Sequence, residues 1–362
     1  MPVALFETQA PLAPLRSELE RAVVEVIDEG RFILGPRVEA FEREFAAYLG
    51  ARESIGVANG TDALTIALRA MGVGPGDDVV VPSFTFYASA EAIPATGARP
   101  VFCDVDPETF CVTPDTVRAA LTAQTKAVIV VHLFGNLAPV REVEALGVPV
   151  LEDAAQAAGS TGAAGRAGAL GTVATFSFFP SKNLPCFGDG GAITTSDPAL
   201  AERARLLRFH GSRDKLTYEQ VGYNSRLDEI QAAVLRVLLP RLEEWAEARH
   251  AWGCAYGDSG LGDLVGLPRT GAGARLAWHL YVVRHPAADE LVEGLAARGV
   301  QARRYYPVPI HRQPAMREWG AGLSLPATEE VARTHVALPM WPLAPDGVVA
   351  QVTEAVRNAL AG

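Results

Sequence analysis

The chain has 362 residues, of which 49% are hydrophobic and 20% charged, a composition typical of a globular protein with room for two domains. Its formal charge of −10 argues against nucleic acid or an anionic membrane surface as a partner. The four cysteines form no CxxC pair and lie beside no histidine cluster, so we expect neither a disulfide framework nor a metal site.

Two further patterns bear on location. The residues from Met1 to Glu7 lack the basic and apolar regions of a signal peptide. The sequence also contains no apolar run of about 18 residues, the length that would span a membrane. We therefore expect a soluble, cytoplasmic protein.

Helical and apolar segments alternate along most of the chain. The spacing predicts helices over 39–49, 61–71, about 87–96 and 226–249, the last broken or ended near Pro240. Short apolar runs predict strands over 79–81, 100–103, 127–133, 148–151 and 174–179. Helical crossovers between apolar strands indicate an α/β fold with a mainly parallel sheet covered on both faces.

The pattern of predicted helices and strands changes near residue 250. A strand is predicted over 278–283, with helices over 290–298 and 346–360. We therefore predict a large domain over 1–249 and a smaller α+β domain over 250–362.

The first motif, Ala58–Leu64, contains Asn59-Gly60-Thr61 before a predicted helix. Glycine allows close approach of the backbone, and free N–H groups at a helix N-terminus bind phosphate. Thr61 would add a hydroxyl. The alternative is simple helix capping by Asn59 or Thr61.

An aromatic residue, Phe86, follows the strand predicted at 79–81. It could lie flat on a cofactor ring. The alternative is an ordinary core phenylalanine.

The second motif is an apolar strand that ends in Glu152-Asp153 and continues to Gln156. Ligands of open parallel sheets lie outside the carboxyl ends of the strands. An aspartate there could pair with a protonated pyridine nitrogen of a cofactor. The alternative is a helix N-cap.

The third motif is Phe176–Asn183, in which an apolar strand delivers Lys182, followed by Gly188–Gly191. A partly desolvated amine with a lowered pKa is suited to form a Schiff base with a carbonyl cofactor. The alternative is a lysine whose charged end reaches solvent from a strand end.

The fourth motif, Val221–Ala233, opens the long helix predicted from residue 226. Asn224 and Arg226 could reach a phosphate or a carboxylate. The alternative is a well-capped helix start.

In this order and at these separations, the four motifs resemble the DegT/DnrJ/StrS family of sugar aminotransferases, a branch of the fold-type I pyridoxal phosphate enzymes. The resemblance runs from Gly30–Pro36 to Ala337–Met340. It implies a fold-type I architecture with a smaller C-terminal domain. It also implies pyridoxal 5′-phosphate as the cofactor, pyridoxamine 5′-phosphate as an intermediate, and homodimers with shared active sites.

The resemblance also implies roles for individual residues. Lys182 matches the Schiff-base lysine, Asp153 the partner of the pyridine nitrogen, and Gln156 the residue near the ring oxygen. Other matched cofactor contacts are Gly60, Thr61 and Ser177 at the phosphate, Phe86 on the ring, and Asn224 at the other subunit's phosphate, with Arg226 nearby as a substrate contact.

The implied reaction moves an amino group from L-glutamate to a keto sugar linked to a nucleotide diphosphate. The freed amine of Lys182 would carry a proton between the donor's α-carbon and C4′ of the cofactor. The segment Arg303–His311 resembles the family's sugar-binding segment, and its two-proline spacing favours a 3-keto over a 4-keto sugar. Tyr306 and His311 are its candidate substrate contacts, although His311 could equally be a surface histidine.

The chain departs from the family pattern at Pro185-Cys186-Phe187, where small residues are expected. We expect Cys186 to pack in the interior, the alternative being an oxidation-sensitive pocket. The bulk of Phe187 leaves the pocket shape open.

Three other functions stay open. A cofactor-dependent sugar dehydratase is one, although relatives with that activity replace the lysine with histidine, and Lys182 argues against it. A keto-cyclitol aminotransferase is the second. A regulatory or scaffolding protein on a retained enzyme fold is the third.

Overall fold

The computed structural model describes residues 2–361, so that Met1 and Gly362 lie outside it. Its centre is a seven-stranded sheet in the order β1-β9-β8-β5-β4-β2-β3. The strands of this sheet are β1 (Glu53–Val57), β2 (Asp78–Pro82), β3 (Arg99–Cys103), β4 (Thr125–Val131), β5 (Val150–Asp153), β8 (Val173–Ser177) and β9 (Gly191–Thr195). In this sheet β9 runs antiparallel to the other six strands. The expected α/β fold with a mainly parallel sheet is confirmed.

Two small sheets complete the strand inventory of residues 2–361. They are the hairpin of β6 (Thr161–Gly162) and β7 (Gly165–Arg166), and the antiparallel pair of β10 (Tyr281–Arg284) and β11 (His335–Leu338).

Helices cover both faces of the central sheet. The α-helices are α1 (Gln9–Leu12), α2 (Arg16–Glu29), α3 (Pro36–Leu49), α4 (Gly60–Ala70), α5 (Ala88–Glu91), α6 (Pro114–Ala120), α7 (Val140–Glu144), α8 (Pro198–Arg208), α9 (Glu229–Leu238), α10 (Leu242–Asp258), α11 (Ala288–Ala297), α12 (Arg317–Gly320), α13 (Pro326–Thr334) and α14 (Val348–Leu360). Short 3₁₀ turns lie at Ala13–Leu15, Pro94–Thr96, Leu133–Gly135, Leu239–Arg241, Leu261–Asp263, Ile310–Arg312 and Pro314–Met316. Within the described part of the chain, no helix has both the length and the apolar character to cross a bilayer.

The predicted elements are present, with two differences in the helices. The helix predicted over 87–96 is instead α5 followed by a 3₁₀ turn at Pro94–Thr96, because Pro94 has no backbone N–H to donate to Ala90 O, four residues earlier. The long helix begins at Glu229 rather than 226, because Asp228 caps it by accepting a hydrogen bond from Gln231 N at 2.8 Å. A 3₁₀ turn at Leu239–Arg241 confirms the expected break near Pro240.

The C-terminal unit packs α10, α11 and α14 around the β10–β11 pair. The start of the chain joins this unit: Val3 donates to Gly299 O at 2.8 Å, and Leu5 O accepts from Met340 N at 2.9 Å. The predicted domain boundary at residues 249 and 250 falls inside α10, which continues from one unit into the other. The division into two domains stays a prediction.

Candidate active site

A cavity of about 1030 Å³ opens at the carboxyl edge of the parallel strands. This edge is where open α/β sheets bind their ligands. Most of the predicted site residues line the cavity: Gly60, Thr61, Phe86, Asp153, Gln156, Ser177, Lys182 and Tyr306. The fold therefore brings together three of the four sequence motifs.

One end of the cavity is built by close backbone packing. The antiparallel register places Gly191 beside both Val57 of β1 and Ser177 of β8. A Cβ on Gly191 would lie 2.5 Å from Asn59 O, and a Cβ on Gly60 would lie 2.8 Å from the Cβ of Ser177. Glycine is therefore required at both positions for β1, β8 and the start of α4 to meet.

The N-terminus of α4 forms the wall at this end. Asn59 caps the helix by accepting a hydrogen bond from Asp62 N at 2.8 Å, so the capping interpretation is correct. The N–H groups of Gly60 and Thr61 belong to the first turn and have no partner within the helix. Together with the helix dipole, they suit a phosphate group.

Asp153 is the last residue of β5 and is buried, with 6% of its surface exposed. Its Oδ2 accepts a hydrogen bond from Ser89 Oγ at 2.7 Å, and its Oδ1 accepts from Ala155 N at 3.2 Å. Residues 154–160 form turns, so the alternative of a helix N-cap is wrong. The carboxylate is held in place at the cavity wall, where a cationic ring nitrogen would find its partner.

Lys182 lies five residues beyond the end of β8. Its backbone N–H donates to Phe179 O at 2.8 Å, and the side chain lines the cavity. Burial lowers the pKa of the amine to about 8, and the charge of Asp153 offsets part of this effect. A substantial fraction of the amine is therefore neutral near pH 8, as a nucleophile or a proton carrier requires.

Gln156 and Tyr306 form a hydrogen-bonded pair on the cavity wall. Oε1 of Gln156 accepts from Phe134 N at 2.7 Å, and its Nε2 donates to the Tyr306 hydroxyl oxygen at 3.0 Å. Burial raises the pKa of Tyr306, which keeps the hydroxyl protonated. The hydroxyl can therefore donate its own hydrogen bond to a ligand in the cavity.

Phe86 lies on the cavity wall with 53% of its surface exposed. Its ring centre is 5.9 Å from that of Tyr306. A large exposed aromatic side chain beside a cavity presents a flat apolar face to a ring-shaped ligand. The alternative of an ordinary core phenylalanine is therefore wrong.

The structure does not bring three of the predicted residues to this cavity. Asn224 is exposed, and Arg226 lies over the ring of Phe209, with Cζ 5.9 Å from the ring centre. His311 is buried, with Nδ1 2.7 Å from Ser83 Oγ and Nε2 3.3 Å from Glu329, so it is not a surface histidine. Its contact with substrate stays a prediction that this geometry does not support.

The unusual Pro185-Cys186-Phe187 segment leaves the cavity clear. Cys186 is fully buried in the core, and burial raises the pKa of its thiol to about 11. The thiol is therefore protonated and unreactive, which confirms packing over oxidation sensitivity. Phe187 is half exposed and lies outside the cavity lining.

Three residues of the site were missed in the sequence. Ser89 orients Asp153, and Arg249 and His279 line the cavity beside Lys182. Ser89 and Arg249 lie within predicted helices, and His279 lies within a predicted strand. Their spacing looked regular, and no local signal separated them from structural positions.

The fold and the cavity define a class, the pyridoxal-phosphate enzymes with a lysine at the carboxyl edge of a parallel sheet. Residues 14–357 match the model of the DegT/DnrJ/EryC1/StrS aminotransferase family. The chain belongs to this family and is an aminotransferase.

Individual relatives cover nearly the whole chain. A dTDP-3-amino-3,4,6-trideoxy-alpha-D-glucose transaminase of Streptomyces venezuelae is 45% identical over 363 residues, which is 98% of this chain and 96% of the relative. A pleiotropic regulatory protein of Geobacillus stearothermophilus is 44% identical over 350 residues, 94% of each protein. The crystal structure of DesV from S. venezuelae superposes with a TM-score of 0.95 at 44% identity and covers 98% of both chains.

Aminotransferases of this family use pyridoxal 5′-phosphate. The residues present fit that group. Asp153 can hold the ring nitrogen, the first turn of α4 with Ser177 can hold the phosphate, and Phe86 can cover the ring. Lys182 is the one lysine on the cavity wall as the described residues form it.

Proposed function

We propose that this enzyme transfers an amino group from L-glutamate to a keto sugar linked to a nucleoside diphosphate, in the cytoplasm. The observation that carries the proposal is a single cavity that holds Lys182, Asp153 and Tyr306 and is about 1030 Å³ in volume. Ligand pockets are typically about 300–1,000 Å³, so this cavity has room for a large second substrate beside the cofactor.

When bound, pyridoxal phosphate would supply a ring that withdraws electrons from the reacting carbon and an aldehyde carbon that can carry the amino group between the two substrates. The chain's own residues do the rest. Nζ of Lys182 would carry the proton from the donor's α-carbon to C4′ of the cofactor in the first half of the reaction, and from C4′ to the sugar carbon that receives the amine in the second half. Asp153 keeps positive charge at the ring nitrogen, and Ser89 holds Asp153 in that orientation.

Tyr306 supports a role in sugar binding. Gln156 donates to its hydroxyl oxygen at 3.0 Å, which leaves the O–H free to donate toward the cavity. The relative from S. venezuelae acts at a 3-amino position. Together with the two-proline spacing of the segment at 303–311, this favours a 3-keto sugar as the acceptor.

We propose a homodimer with shared active sites as the working form. Asn224 is exposed, and near it lie the apolar side chains of Leu216, Tyr218 and Val221, which are 84%, 60% and 83% exposed. Covering them with a second subunit would remove this apolar surface from water. In the dimer that we propose, Asn224 lies against the partner's phosphate site, the role that the family resemblance implies for it.

The test follows the yellow absorbance of the purified enzyme with its cofactor bound. L-glutamate should bleach it, and a nucleotide-linked 3-keto sugar should restore it better than a 4-keto sugar. The control, Lys182→Ala, should show neither change. Restoration by the 4-keto sugar alone would reverse the position assigned to the new amine. Restoration only by a keto-cyclitol would show that the acceptor is a keto-cyclitol rather than a nucleotide sugar. Failure of L-glutamate to bleach the absorbance would show that L-glutamate is not the amino donor.

A further inference from the structure

Within the part of the chain that the structure describes, Arg249 is a buried cation without an acidic partner. It lies in the middle of α10 with 7% of its surface exposed. One guanidinium nitrogen, Nη1, donates to Trp278 O at 2.8 Å, while Nε is buried and has no hydrogen-bond partner. Burial lowers its pKa to about 9, with no carboxylate acting against that effect, so the group is still charged at neutral pH.

A second buried arginine shows the usual arrangement. Arg208 is 8% exposed and is paired with the carboxylate of Glu42, and it also donates to Gly56 O at 2.7 Å. Buried charges are normally paired in this way, because an uncompensated charge is costly to remove from water. Arg249 lacks such a partner among residues 2–361.

The position of Arg249 indicates where a partner would come from. Its side chain lines the large cavity and also a small cavity of about 30 Å³ beside it, and Lys182 lines both. His279 is the third nitrogen group at this corner of the cavity, and its Nδ1 is buried without a partner. Burial and the charges of Lys182 and Arg249 lower the pKa of His279, so its ring is neutral and does not add repulsion toward the two cations.

We propose that Arg249 binds a carboxylate of the amino donor and so places the donor's amino group next to Lys182. The inference rests on the proposed function and adds the residue that selects the donor. A guanidinium has five N–H donors, of which Nη1 uses one on Trp278 O. The remaining donors can hold a carboxylate in two parallel hydrogen bonds, a geometry that the carbonyl and hydroxyl groups of the acceptor's sugar ring cannot provide.

The first test separates the two substrates in Arg249→Gln and Arg249→Lys, with their cofactor bound. Arg249→Gln should raise the L-glutamate concentration for half-maximal bleaching by about 30-fold or more, as expected for loss of a charge-assisted pair. The half-saturating keto-sugar concentration should change by less than about 3-fold, and Arg249→Lys should lie between wild type and Arg249→Gln. Arg241→Gln, exposed and one residue before α10, is the matched control and should behave as wild type.

The second test uses the wild-type enzyme and does not depend on turnover or on a variant that folds. Butane-2,3-dione modifies accessible guanidinium groups, and peptide mass spectrometry reports the extent at Arg249. Glutarate, a dicarboxylate without an amine, should protect Arg249 and leave Arg241 fully modified.

The outcomes distinguish failure of the carboxylate site at Arg249 from failure of the proposed function. Equal weakening of both substrates in Arg249→Gln, Arg249 that glutarate does not protect, or Arg249 that the reagent does not reach would each overturn the carboxylate site. If L-glutamate fails to bleach the wild-type enzyme, the proposed function fails, while glutarate protection still decides whether Arg249 binds a carboxylate.

Discussion

Glu152 and Asp153 are neighbouring acids on β5, and they point to opposite sides because side chains alternate along a strand. Every lone-pair direction of Glu152 is engaged. Its two oxygens accept from His132 Nε2 and from the backbone N–H groups of Gly168, Leu170 and Gly171 at 2.6 to 2.8 Å. Asp153 has two such partners, Ser89 and Ala155, and faces the cavity.

The number of hydrogen-bond partners within the protein distinguishes a buried acid with a structural role from one with a chemical role. Burial alone would raise the pKa of Glu152, but hydrogen bonds from His132 and from the backbone of Gly171 and Gly168 hold it below its ordinary value. Glu152 therefore ties the loop at 168–171 to β4 and β5. Asp153 keeps hydrogen-bonding capacity for a group that the protein itself does not supply. The same contrast separates Arg208 from Arg249.

The largest expected effect is on the reaction rate, and it follows from replacing Asp153, the acid that faces the cavity. Asp153→Asn should slow L-glutamate-driven bleaching by about 10³-fold or more, because a neutral amide cannot hold positive charge at the ring nitrogen. Its free energy of unfolding should stay within about 1 kcal/mol of wild type, since Asn can still accept one of the two hydrogen bonds. Stopped-flow absorbance and urea denaturation measure the two quantities. Nearly normal bleaching rates in Asp153→Asn would show that Asp153 has no role in the chemistry.

The next largest effect is on stability, and it follows from replacing Glu152, the acid that is fully hydrogen-bonded within the protein. Glu152→Gln places an NH₂ group against N–H donors in the interior and should cost about 3 kcal/mol or more in the free energy of unfolding. The measurement is the urea midpoint of the enzyme, with the exposed Glu142→Gln as the matched control. Any fully folded Glu152→Gln should retain bleaching within about 10-fold of wild type. Unchanged stability would contradict the structural role.

The smallest expected effect is a dependence of stability on pH that comes from the buried amine of Lys182. The pKa of Lys182 is lowered from 10.5 to about 8 in the folded chain. The unfolded chain therefore binds more protons between pH 8 and 10.5, so stability should rise with pH in that window. Urea denaturation of the cofactor-free enzyme should show this rise, on the order of 1–3 kcal/mol, relative to Lys182→Met. Parallel pH profiles for the two proteins would show that the amine is not desolvated.

The sequence predicted the sheet and the cavity's main residues because both depend on local patterns. Apolar strands that end in Asp153 or lead to Lys182 meet at one edge whenever the strands are parallel. The turn at Asn59-Gly60 is also a local signal, since it caps α4 and leaves the first N–H groups of the helix without a partner in the helix.

Arg249 could not be found in this way. An arginine in a helical pattern normally faces solvent, and only the packing of α10 against the 277–280 segment buries this one. The role of His311 stays a prediction: its motif suggests a ligand contact, while tertiary packing gives it Ser83 and Glu329 as partners.

The start of the chain has a consequence for the order of assembly. Val3 and Leu5 bond to residues 299–301 and Met340, and Phe6 and Met340 both line the cavity. Contacts of such sequence separation form late and slowly. Because Phe6 and Met340 both line the cavity, its walls are complete only after segments from near the two ends of the described chain have packed together, and a bound cofactor would stabilise that packed state over the unfolded chain.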